Sequence, residues 1–109
     1  MNFYIGNSFE DLKITDRNIE ICDDLLEFLY KNNYIVDSKK FVLNEIDPYD
    51  DTVIDNSKLQ QWLAMCNSIV SSKILEQYED LDEAGNIEEL IILIKEALKN
   101  DLNLIIIGD

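Results

Sequence analysis

The chain of 109 residues contains no histidine and only two cysteines. Histidine is the commonest general base, the commonest zinc ligand and the usual partner of a nucleophilic serine or cysteine, so its absence argues against those active sites. Cys22 and Cys66 form no CxxC motif, and each falls on the apolar face of a predicted helix, which is typical of reduced core thiols. We therefore predict no catalytic residue, no metal site and no cofactor.

Basic residues are also scarce. The chain contains nine Lys and Arg but 23 Asp and Glu, which gives a net charge of -14 at pH 7. Proteins that bind nucleic acid need Lys and Arg for the phosphates, so this charge argues against nucleic acid as a ligand and disfavours anionic membranes. An acidic field instead accelerates encounter with positively charged partners, by roughly 10- to 1,000-fold at low salt. The composition predicts a basic protein as the partner.

Long apolar runs are missing as well. No stretch approaches the ~18 residues of a membrane span, and the first residues have neither a basic segment nor the apolar core of a signal peptide. We therefore expect a cytoplasmic protein. Hydrophobic residues nevertheless make up 47% of the chain, which is enough to build one core in a domain of this size. We expect residues 1–109 to form a single domain.

Apolar periodicity predicts about three helices packed on a small sheet, an α/β (α+β) arrangement. The helices are expected over Ile19 to about Asn32, Lys58 to about Tyr78, and Ile87 to Lys99. Ser57 is the expected N-cap of the second helix, and Gly85 the break before the third. Strands are expected over Met1–Ile5, Phe41–Leu43 and Leu102–Ile107. Thr52–Ile54 either pairs back as a short strand or lays Val53 and Ile54 on the core. The near-continuous β-branched run of the last strand is typical of a strand covered on both faces.

The first candidate site is an acidic turn that follows Phe41. Pro48 fixes its own backbone angle and disfavours helical geometry at Asp47, which gives that carboxylate a defined orientation. Like charges this close repel one another unless a basic partner offsets them. A magnesium site is not indicated, because no glycine-rich loop or basic side chain accompanies the carboxylates. The predicted contact residues are Glu45, Asp47, Tyr49, Asp50, Asp51 and Asp55.

A second acidic segment separates the last two predicted helices and is the alternative binding patch. It resembles the start of a calcium-binding EF-hand loop at Asp80, but the fifth position is Ala84 and the twelfth is Ile91, where a bidentate Glu is required. No calcium site is therefore predicted. The patch consists of Glu76, Glu79, Asp80, Asp82 and Glu83.

Three aromatic residues are candidate anchors for a partner, because Tyr and Trp are enriched at binding hot spots. Trp62 lies on the apolar face of the second predicted helix, which favours a core position. Tyr49 lies among carboxylates in the acidic turn, where packing and partner contact are equally consistent with the pattern. Tyr78 lies at the predicted end of the second helix.

Part of the sequence resembles a known group of proteins. Ile46–Thr52, IDPYDDT, followed by a helix containing Leu59 and by the C-terminal LNLIIIGD, is similar to small bacterial immunity proteins of polymorphic and contact-dependent growth inhibition toxin systems. The resemblance covers Phe41 to Asp109. It implies a cytoplasmic, non-enzymatic protein that binds and neutralises a cognate toxin domain, often a nuclease with a basic cleft.

Two other classes share the acidic surface. One is an acidic mimic of nucleic acid that binds another basic factor, and the other is a regulatory adaptor module. The identity of the partner separates these classes from an immunity protein.

Overall fold

Strand β4, Asn103–Ile107, lies in the interior of an antiparallel sheet in the computed structural model, which describes residues 1–12, 17–32 and 51–108. The other strands are β1, Asn2–Gly6, β2, Ile19–Glu20, and β3, Thr52–Ile54. The strand order is β2-β1-β4-β3, and every neighbouring pair is antiparallel. Helices pack on this sheet within one domain, which confirms the predicted α+β class. The predicted strand Phe41–Leu43 lies outside the described residues.

Strand β4 is buried on both of its faces, as its sequence predicted. Leu104, Ile105 and Ile106 are all fully buried, although successive side chains of a strand point to opposite faces. Leu104 and Ile106 belong to the main core, while Ile105 lies opposite Tyr4 and Val53 on the second face. The predicted central strand is therefore confirmed.

Four α-helices are present among the described residues, three of them long. They are α1, Asp23–Lys31, α2, Leu59–Ser71, α3, Leu81–Ala84, and α4, Asn86–Lys99. Short 3₁₀ helices occupy Phe9–Asp11, Asn56–Lys58 and Ile74–Gln77. The core joins Leu25 of α1, Trp62 of α2 and Leu93 of α4 to the sheet residues Phe3 and Ile106. None of the helices in the described segments is long and apolar enough to cross a membrane.

Helix α1 begins four positions later than its periodicity predicts. Ile19 and Glu20 pair with Phe3 and Asn2 as strand β2. The Ile21 amide then donates to the Met1 carbonyl at 2.9 Å, and the Ile21 side chain is buried. Strand pairing with β1 thus outcompetes the helical pattern over these residues, and the predicted start at Ile19 is wrong.

The predicted N-cap and the predicted C-terminal end of the second helix are wrong. The 3₁₀ helix Asn56–Lys58 precedes α2, and Asp55, not Ser57, caps it, because the Asp55 carboxylate accepts from the Ser57 amide at 3.0 Å and from the Ser57 hydroxyl. At the other end, the Ser72 hydroxyl donates to the Ile69 carbonyl and accepts from the Ile74 amide. Such local bonds compete with the helix. Lys73 takes a left-handed conformation, with φ of 62°, and α2 ends at Ser71 rather than near Tyr78.

The predicted acidic connector between the last helices has regular structure. It holds the 3₁₀ helix Ile74–Gln77 and the single turn of α3. Gly85 has right-handed helical angles, with φ of -62°, and lies between α3 and α4 without a left-handed break. The third predicted helix, Ile87–Lys99, is confirmed with one added residue at its start.

An asparagine network ties β4 to the segments at its N-terminal end. The Asn56 side chain donates to the Leu102 carbonyl at 2.7 Å and to the Ala97 carbonyl at 3.3 Å. The Asn56 amide donates to the Asn103 side chain at 3.0 Å, and that side chain donates to the Asn7 carbonyl at 3.2 Å. These bonds join the loop after β1, the start of α2 and the turn after α4.

Replacing Trp62 by alanine should lower the free energy of unfolding by about 3–5 kcal/mol. Trp62 is 2% exposed, and its ring lies 6.2 Å from the ring of Phe3 in an edge-to-face arrangement. Urea unfolding measures the loss. Tyr30→Ala is the control, because Tyr30 is 61% exposed and its loss should cost under about 0.5 kcal/mol. Equal costs for the two variants would contradict the core position of Trp62.

Replacing Asn56 by alanine should cost about 1–3 kcal/mol, because the Leu102 and Ala97 carbonyls each lose a side-chain donor, although the Ala97 carbonyl keeps the Leu102 amide at 2.9 Å. Asn100→Ala is the matched control, since its side chain is exposed and bonds only locally, to the Glu96 carbonyl. We expect the control to cost under about 0.5 kcal/mol in the same unfolding experiment. A cost at Asn56 no larger than at Asn100 would show that the network does not stabilise the fold.

Candidate protein-binding groove

The first predicted patch is only partly within the described residues. Glu45, Asp47, Tyr49 and Asp50 lie outside them. Asp51 and Asp55 are exposed, and both bind backbone amides: Asp51 accepts from the Gly108 amide at 3.0 Å, and Asp55 caps the start of the helical segment at Asn56. The Ser57 hydroxyl, and then the Ser57 amide, lower the pKa of Asp55. These two carboxylates therefore hold the fold, and substituting them would change its stability as well as its charge.

Most of the second predicted patch surrounds a groove with a volume of about 710 Å³. Glu79, Asp80 and Glu83 line this groove, and Asp82 lines an adjoining depression. Glu76 lies earlier, in the 3₁₀ helix Ile74–Gln77, where it is exposed. We call this feature the acidic groove, and its lining residues are Cys22, Asp24, Phe28, Gln77, Tyr78, Glu79, Asp80 and Glu83.

Two aromatic rings form the apolar part of the acidic groove. The ring centroids of Phe28, on α1, and Tyr78 lie 5.1 Å apart at an angle of 54°. The Tyr78 hydroxyl lies 3.7 Å from the Cys22 sulfur, just before α1. This contact, followed by partial burial and by the negative charges of Asp24 and Asp80, raises the pKa of Tyr78 to about 12. The ring is therefore neutral at physiological pH, and its position is tied to α1.

Two carboxylates at the rim are held in place by the fold. Asp80 caps α3 and accepts the amides of Asp82 and Glu83 through one oxygen, Oδ1, both at 3.1 Å. Glu83 accepts from the Asn86 side chain through Oε2 at 3.4 Å, and the same side chain donates to the Glu20 carbonyl at 3.0 Å. The acidic rim is thus preorganised rather than carried on free side chains.

An exposed leucine lies beside this rim. Leu81 is 65% exposed and lines the adjoining depression together with Glu79, Asp80 and Asp82. Among residues 1–12, 17–32 and 51–108, no lysine or arginine lines this depression or the acidic groove. Apolar surface inside a strongly acidic rim is suited to a partner that brings positive charge and apolar contacts together.

The described lining of the acidic groove supplies carboxylates, one amide, one thiol and one phenol. The chain has no histidine. In residues 1–12, 17–32 and 51–108, no three Cys, Asp or Glu side chains are grouped so that they could hold a metal ion.

The residues of the groove that follow α2 could be predicted from the sequence, whereas those at the start of α1 could not. Tyr78 and the acidic segment were predicted from residue type and charge density. Cys22, Asp24 and Phe28 were not, because they reach the site only through the packing of α1 against the segment around Tyr78. Phe28 does flank the apolar stripe of the first predicted helix, which is the one local signal for it.

No protein-family model, curated protein or solved structure matches the chain. The similarity to immunity proteins stays a prediction.

Replacing Cys22 by alanine should lower the pKa of Tyr78 from about 12 toward its ordinary value of 10.0. A raised pKa favours the neutral phenol in the folded state, so its contribution to stability is complete below pH 10 and is lost as the pH rises toward 12. NMR titration of ring-labelled tyrosine measures the change.

Asp24→Asn is the graded control for this titration. It should produce a smaller decrease, because the charge of Asp24 is a weaker cause than the contact with Cys22. An unchanged pKa in the Cys22→Ala variant would show that the thiol does not hold Tyr78.

Proposed function

We propose that the protein is a cytoplasmic immunity protein that binds a basic toxin domain, of the nuclease type, through the acidic groove and neutralises it. The observation that carries the proposal is the groove itself, in which two aromatic rings and four carboxylates, but no lysine or arginine, are found among the described lining residues. The resemblance of Phe41 to Asp109 to immunity proteins supports the same function.

The charge of the whole chain supports fast association. A net charge of -14 attracts a basic domain over a long range and raises the association rate at low salt. Complementary charge by itself gives a complex that salt dissolves readily. Slow dissociation requires contacts that exclude water, and Phe28, Tyr78 and Leu81 supply apolar surface for them.

The toxin is neutralised because the complex forms in or beside its phosphate-binding cleft. Carboxylates at the rim can occupy a cleft in which the toxin binds phosphates, or the protein can dock beside that cleft and block the substrate. A complex of standard size buries roughly 1,600 Å², which is much more surface than the groove offers. The groove is then the centre of the interface, and neighbouring acidic residues such as Asp82 surround it.

The described carboxylates of the two patches can be compared, although Glu45, Asp47, Tyr49 and Asp50 lie outside the described residues. Asp51 binds the Gly108 amide just after β4, and Asp55 caps the 3₁₀ helix Asn56–Lys58 that precedes α2. The groove carboxylates Asp24 and Glu79, in contrast, lie exposed on α1 and on the segment before α3. A partner can reach them without disturbing the fold.

Charge reversal at both sides of the groove should abolish capture of the partner. Asp24→Lys combined with Glu79→Lys places like charges against a basic surface, and we expect binding to weaken by at least about 10-fold. The measurement is affinity capture from a lysate of the cells of origin, washed at low and then at high salt. The wild-type chain should retain one stoichiometric basic protein through both washes.

The matched control is Glu10→Lys combined with Glu88→Lys. It changes the net charge by the same amount, and Glu88 lies in the first turn of α4 as Asp24 lies in the first turn of α1. We expect this control to keep the partner. Equal losses in the two variants would show that overall charge, and not the groove, determines binding.

Expression of the captured partner in a bacterial host then tests the toxin assignment. We expect growth arrest by the partner alone and rescue when this chain is coexpressed. A partner that is harmless by itself would contradict the immunity function and indicate an adaptor module.

A further inference from the structure

We propose that the acidic groove receives one arginine side chain of the partner, with its guanidinium over the ring of Tyr78 and hydrogen-bonded to the carboxylates at the rim. This inference rests on the proposed function in one respect, that the occupant belongs to a basic protein. It goes further by naming the residue type that the groove selects.

The aromatic pair provides the surface on which a planar cation stacks. Phe28 and Tyr78 both line the groove, and the edge of one ring is tilted toward the other at 54°. The contact of the Tyr78 hydroxyl with the Cys22 sulfur fixes the outer end of the ring. A cation over a tyrosine face is attracted by the negative face of the π system, and this attraction grows as water is excluded.

The fixed carboxylates provide acceptors around that ring. Asp80 uses only Oδ1 for its two backbone donors, and Glu83 uses Oε2 for Asn86. Among the described residues, nothing donates a hydrogen bond to the second oxygen of either carboxylate, so each can accept from a ligand. Asp24 also lines the groove, from α1. Acceptors on several elements around an aromatic ring match the several N–H donors that a guanidinium presents in one plane.

Arginine fits this arrangement better than lysine. An ammonium is a compact, strongly hydrated charge, whereas a guanidinium is planar, more weakly hydrated and able to stack while it donates in its own plane. The neutral state of Tyr78 also suits stacking, since a phenolate would make the contact a simple ion pair. The groove therefore discriminates by shape as well as by charge.

The test uses three blocked tripeptides, acetyl-Gly-Xaa-Gly-amide, in which Xaa is arginine, lysine or citrulline. Citrulline keeps the planar shape of arginine without its charge. NMR titration of the whole chain follows the aromatic resonances of Phe28 and Tyr78. We expect saturable shifts with the arginine peptide, weaker binding of the lysine peptide and no binding of the citrulline peptide.

Tyr78→Leu removes the ring but keeps apolar volume, so the chain should still fold. We expect it to weaken binding of the arginine peptide by about 2- to 30-fold, the range of a cation–π contact. Tyr30→Leu removes an exposed tyrosine that does not line the groove, and it should leave binding unchanged. Equal affinity for arginine and lysine peptides, or no effect of Tyr78→Leu, would overturn the inference.

Failure of this inference differs from failure of the proposed function. Capture of a toxic partner that is lost in Asp24→Lys/Glu79→Lys, together with no saturable binding of the arginine peptide, would contradict the arginine site and leave the immunity function supported. Binding of the arginine peptide without a toxic partner would support the site and contradict the immunity function.

Discussion

Strand β4 is paired along both edges and buried on both faces, and the positions of the neighbouring strands depend on this pairing. Strand β1 pairs with it over five residues and β3 over three. At its N-terminal end the side chain of Asn103 joins two loops, and beyond its C-terminal end Asp51 binds the Gly108 amide. Burial of this isoleucine-rich strand stabilises the folded state, because large apolar side chains on both of its faces are removed from water.

The acidic groove is a consequence of how the chain leaves α2. The left-handed residue Lys73 and the hydroxyl of Ser72 end that helix, and Ile74 then returns to the core. The turn places Tyr78 against Phe28 of α1, with the carboxylates of the following segment outside. Apolar contacts thus hold the acidic segment on the body of the protein, which offsets the repulsion among its charges.

The sequence pattern predicted those elements whose structure depends mainly on their own residues. Helix α4 and strand β4 follow from apolar periodicity and from a continuous β-branched run. The start of α1 could not be predicted, because Ile19 pairs with Phe3 across the sheet, and periodicity carries no information about that partner. The acidic half of the groove was visible as charge density, whereas the contact between Cys22 and Tyr78 joins residues 56 positions apart.

In the proposed complex the acidic groove, and not the carboxylates Asp51 and Asp55, contacts the partner. Hydrogen exchange of the chain, free and in complex with its captured partner, is the direct test. We expect slower amide exchange at the start of α1 and from Tyr78 to Glu83 in the complex, with little change from Asp51 to Asp55. Protection from Asp51 to Asp55 with none at the groove would contradict it.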